Sequence, residues 1–119
     1  MKRLYLSLIA SLCASMASAH DPEILDVQVE KMGMLWSIHV TVQHGDTGWD
    51  HYADAWEVLD ADGNVLATRT LHHPHVDEQP FTRSLHSLVL PDGTREIWVR
   101  AHCSIADWSS QLTKVELTP

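Results

Sequence analysis

The chain has 119 residues, 45% of them hydrophobic, and its 16 acidic against 8 basic side chains give a formal charge of −8. That length suits one compact domain. So acidic a surface argues against nucleic acid and anionic membranes, whose ligands carry basic patches, and suits cations or basic partners.

Met1 to Ala19 reads as a secretory signal peptide. Lys2 and Arg3 form the basic region, Leu4 to Leu12 the apolar stretch, and Ala17-Ser18-Ala19 the small-residue cleavage box. The apolar stretch falls short of the roughly 20 residues that span a bilayer, and no later stretch qualifies. Leu12 is larger than the residue that usually precedes a lipid-attachment cysteine, so Cys13 is not read as one. The expected organisation is a signal at 1–19 and a β-sandwich domain at 20–119, exported to the periplasm or beyond. Cleavage after Ala19 would leave His20 first, its α-amine and imidazole able to chelate one ion together. A cut after Ala17 would leave Ser18-Ala19-His20, with histidine third, an arrangement that also captures copper or nickel.

Beyond the signal, short alternating runs are separated by turn signals, the pattern of an all-β chain. The first expected strand is Ile24 to Glu30, turned by Lys31-Met32-Gly33. The second, Met34 to Gln43, carries Trp36, Ile38, Val40 and Val42 on one face. The third, Ala53 to Leu59, follows a loop from His44 to Tyr52 and buries Trp56 and Val58. Asp60-Ala61-Asp62-Gly63-Asn64 turns into the fourth, Val65 to Leu71. A loop from His72 to Pro80 leads to the fifth, Phe81 to Leu90. Pro91-Asp92-Gly93-Thr94 turns into the sixth, Arg95 to Cys103, with Ile97, Val99, Ala101 and Cys103 sharing a face. A loop from Ser104 to Gln111 precedes the seventh, Leu112 to Leu117.

Seven short strands predict an immunoglobulin-like sandwich. Leu90-Pro91-Asp92-Gly93-Thr94 with Ile97-Trp98-Val99-Arg100-Ala101, and Trp36 on the second strand, resemble fibronectin type III domains. The usual tyrosine of that sixth strand has no counterpart near Arg95 and Glu96. The resemblance implies fold and is silent on function. Thr47 to Asp54 and His73 to Phe81 are similar to segments of small uncharacterised exported bacterial proteins, a group that implies no activity.

Strand direction alternates, so the loops at 44–52, 72–80 and 104–111 should share the pole of the N-terminus. Of nine histidines, His20, His44, His51, His72, His73, His75 and His102 fall at that pole; His39 and His86 lie within strands. Loops at one end of a rigid scaffold are where such folds place function. Imidazoles gathered with carboxylates there predict a transition-metal site, copper first, with zinc and nickel as alternatives. The expected ligands are His20, His51, His73, His75 and His102. An N-terminal histidine brace resembles the device of periplasmic copper-resistance carriers and lytic polysaccharide monooxygenases, by analogy alone.

Cys103 is the one cysteine beyond the signal. An odd cysteine in an oxidising compartment is buried, a metal ligand or an intermolecular partner. The reading preferred is a small buried apolar residue, and alternation sends it and His102 to opposite faces. Trp36 and Trp56 read as core; Trp49 and Trp108 stand in polar loops, where tryptophan either covers the end of a sandwich or anchors a sugar or protein. No serine-nucleophile motif is present. The expected role is therefore to hold or carry a metal ion rather than to catalyse. An envelope protein is a further expected partner, and the alternative role is a protein- or glycan-interaction module.

Overall fold

A computed structural model describes residues 21–117. Seven strands carry them: β1 (Glu23–Met32), β2 (Leu35–Gln43), β3 (Ala53–Leu59), β4 (Val65–Thr70), β5 (Phe81–Leu88), β6 (Glu96–Cys103) and β7 (Thr113–Glu116). They form two antiparallel sheets, a three-stranded one of order β1-β2-β5 and a four-stranded one of order β4-β3-β6-β7. Every expected strand is present, with ends shifted by no more than two residues. The expected signal at 1–19 and His20 lie outside the described residues.

The core lies between the sheets and follows from alternation. Ile38, Val40 and Val42 of β2 face Trp56 and Val58 of β3 and Ile97, Val99 and Ala101 of β6, all essentially sealed from solvent. Trp56 is core as expected, while Trp36 is part-buried against its edge. The β-branched residues that dominate this list fit a pleated, buried face. The β3–β4 turn closes because Gly63 takes φ 83°, and because Asp60 Oδ1 accepts the amides of Asp62 and Asn64 at 2.9 and 2.8 Å. Those hydrogen bonds hold the Asp60 carboxyl below its ordinary pKa.

Register fixes which loops meet. Glu23 lies opposite Gln43, Val42 opposite Phe81, Ala53 opposite Cys103 and Ala55 opposite Thr70. The start of β1 and the loops at 44–52, 71–80 and 104–112 therefore share one pole. The turns at 33–34, 60–64 and 89–95 lie at the other.

Candidate metal centre

The alternation that buries Val42 turns His44 inward one residue past the end of β2, and the residue is only 5% exposed. Asp46 donates its amide to the His44 carbonyl at 2.9 Å, a tight reversal. The chain then doubles back. Thr47 N–H reaches the His51 carbonyl at 3.0 Å and His51 N–H reaches Gly48 at 3.1 Å. Gly48 takes φ 148°, which side chains rarely adopt, to close that small hairpin. Its effect is to lay His51 over His44, with ring centroids 4.7 Å apart and planes at 86°.

The loop is then clipped to the end of β6. Tyr52 N–H donates to Ser104 Oγ at 3.1 Å, and Ser104 N–H donates to the Tyr52 carbonyl at 2.9 Å. Cys103, on the inward register of β6 and fully buried, sits directly beneath. One ligand atom each from His44, His51 and Cys103 lies within 4.8 Å of the other two. Burial pushes the Cys103 thiol up, and the backbone N–H groups of Ile105 and Ala106 pull partly the other way. Such amides stabilise sulfur when it becomes a thiolate, the form that binds metal.

The ring nitrogens of His44 have separate roles. Nδ1 lies 2.5 Å from Asp46 Oδ1, both side chains sealed from water. A carboxylate beside Nδ1 places the proton there and leaves the lone pair on Nε2, the arrangement common to metal-ligating histidines. Two imidazoles from the 44–52 loop and a sulfur from the end of β6 form a donor set that suits copper or zinc.

Of the expected ligands among the described residues, His51 belongs to this group and the other three sit apart from it. His73 and His75 are neighbours, with ring centroids 4.6 Å apart. His73 is exposed, and its Nδ1 lies 3.1 Å from the Pro74 carbonyl. His75 is buried and stacked on Phe81 at 3.9 Å and 9°. Arg83 Nη2 donates to His75 Nε2 at 2.8 Å, and the buried Nδ1 has no hydrogen-bond partner among the described residues. His102 faces the outside of its sheet, with Nδ1 2.5 Å from Asp54 Oδ1 and its ring edge-on to Trp108 at 4.9 Å.

His44 and Cys103 are the two members the sequence reading did not include. The signal was available. Each occupies the inward register at a strand end, and those ends meet at the histidine-rich pole. Adjacency in sequence links Cys103 to His102, whereas its neighbours in space are His44 and His51. The loop tryptophans divide: Trp49 is 68% exposed and touches Tyr52 edge-on, whereas Trp108 is part-buried over His102 and Arg100.

The class defined to this point is an all-β, two-sheet protein with an imidazole–thiol cluster at one pole. No protein family and no solved structure matches the chain. A protein of Halomicrobium mukohataei named "Putative lipoprotein" is 34% identical over 97 residues, covering 81% of this chain and 47% of that protein. The chain thus spans about half the length of the curated relative it matches.

Proposed function

We propose that this chain is a small exported protein that binds one transition-metal ion at the pole built by His44, His51 and Cys103, and that it holds or carries the ion rather than turning over a substrate. The observation that supports this most directly is the convergence of those three donors within 4.8 Å. Two imidazoles and a thiolate accept copper or zinc, and copper stands highest in the affinity order for such donors. The signal-like segment at 1–19 and the lipoprotein name of the relative support an envelope or exported location. The three-plus-four strand order supports the fibronectin type III resemblance.

His20 lies outside the described residues and enters this proposal through chain length alone. It precedes Glu23 by three residues, and Glu23 pairs with Gln43, the neighbour of His44. Three extended residues span about 10 Å. A cut after Ala19 would therefore free an amine and an imidazole close enough to add to the set. Titration of the exported protein with Cu2+ and Zn2+, beside Cys103→Ser, tests the proposal: one ion per chain, lost with the sulfur, is the expected result.

One observation favours a second reading. Trp49, at the tip of the loop that carries His51, is 68% exposed. A tryptophan so placed is suited to anchor a protein or glycan, and this interaction-module reading predicts partner binding indifferent to metal.

A further inference from the structure

From the hydrogen bonds around Asp46 we infer that this residue is the positioning residue of the metal centre, fixing His44 as an Nε2 ligand and locking it to the loop at 71–80. The inference rests on the metal-binding reading and adds a role outside the donor set.

The Asp46 side chain is completely buried, and among the described residues its two oxygens accept from three N–H groups. Oδ1 accepts from His44 Nδ1 at 2.5 Å and from the Ala53 amide at 3.0 Å. Oδ2 accepts from the His75 amide, 29 residues away, at 2.8 Å. One carboxylate therefore ties the last residue of the β2 extension, the first residue of β3 and the β4–β5 loop to a single point. The loop is held to His44 a second time, since Gln79 Oε1 accepts the His44 amide at 3.0 Å and Gln79 Nε2 donates to the His75 carbonyl at 2.9 Å. Backbone and ring of His44 are thus both set by neighbours distant in sequence.

This geometry makes Asp46→Asn a sharp test, because the amide replaces one acceptor by a donor. If NH2 takes the Oδ1 place, it faces His44 Nδ1 and drives the ring proton to Nε2, which blocks that nitrogen as a ligand. If NH2 takes the Oδ2 place, it faces the His75 amide and leaves a buried N–H unpaired, which loosens the loop. Neither choice preserves all three bonds, although the side chain keeps its size.

The experiment uses the exported protein and Zn2+ as probe. Asp46→Asn should weaken Zn2+ binding by about 10- to 100-fold, the usual effect of removing a carboxylate behind a ligating histidine. Nitrogen-15 spectra of the wild-type rings give a readout that does not depend on the variant folding. His44 should be Nδ1-protonated without metal, and its Nε2 resonance should shift on Zn2+ addition. Unchanged affinity in Asp46→Asn, or a wild-type His44 protonated on Nε2, would overturn the positioning role alone. Absence of Zn2+ and Cu2+ uptake by the wild type would overturn the metal-binding reading and this role with it.

Discussion

Arg83 donates to Nε2 of His75 at 2.8 Å across the edge of the three-stranded sheet. A guanidinium can only donate, so it takes the one lone pair of the neutral imidazole and assigns the proton to Nδ1. That nitrogen is buried and has no partner among the described residues. His75 therefore serves as a stacking plate between Phe81 and the loop rather than as a ligand in this arrangement. His75→Ala should leave metal stoichiometry unchanged and lower stability by about 1–3 kcal/mol, the usual range for loss of packed contacts. Denaturant titration beside metal titration separates the two effects.

The same residue sets an acid limit on stability. Burial, then the nearby charges of Arg83 and His73, push the His75 pKa below its ordinary value of 6.5. In the interval below about 6.5 the unfolded chain then binds more protons than the folded one. Stability contributed by neutral His75 is complete above that value and falls as pH drops through the interval. His75→Phe keeps a ring on Phe81 and removes the titration. Its stability should fall less between pH 7 and pH 5 than that of the wild type, measured by thermal or denaturant unfolding.

Cys103 should be chemically quiet in the folded apo protein. It is fully buried, and its thiol is pushed up chiefly by that burial. Thiolate is the reactive form. Iodoacetamide at neutral pH should therefore label Cys103 slowly in the native state and promptly in denaturant. Rapid native labelling would contradict the packing described for β6.

Two histidines at the same pole should behave oppositely. His51 lies in the group with His44 and Cys103, whereas the His102 ring is held by Asp54 on the outer face of the sheet. His51→Ala should weaken Cu2+ or Zn2+ binding by at least about tenfold, as loss of a ligand must exceed the loss of a supporting contact. His102→Ala should leave affinity within about twofold, beyond the reach of the first effect. Parallel calorimetric titrations check both.

Processing is read by mass. Intact-mass analysis of the exported protein should show a chain beginning at His20, without acylation of Cys13. His20→Ala, with the cut confirmed, should then lower Cu2+ affinity strongly if the amine and imidazole join the pole. An acylated chain beginning at Cys13 would contradict the cleavage reading and bring the protein nearer to its lipoprotein-named relative.

Much of the architecture was legible because burial in a sandwich writes itself into alternation. Ile97, Val99, Ala101 and Cys103 share one face in the sequence and one core in the structure. The grouping of three loops at one pole was legible too, since antiparallel strands leave no other arrangement. The composition of the site was less so. His51 reaches His44 only because Gly48 closes a four-residue hairpin inside the 44–52 loop, a local path that periodicity does not encode. His73 and His75 have the spacing of a shared site in an extended segment. Arg83 and Phe81 instead capture His75 from the neighbouring strand. Asp46 accepts backbone amides, the usual work of an aspartate in a turn. Its bond to the His44 ring is set by the fold and not by spacing in the sequence.

The most direct test of the central claim is an absorbance-monitored titration of the exported protein with Co2+ and Cu2+, run beside Cys103→Ser. The account predicts saturation at one ion per chain, with a thiolate-to-metal charge-transfer band in the wild type that vanishes in the variant. Saturable binding without that band, or a band unchanged by Cys103→Ser, would contradict a centre built on His44, His51 and Cys103.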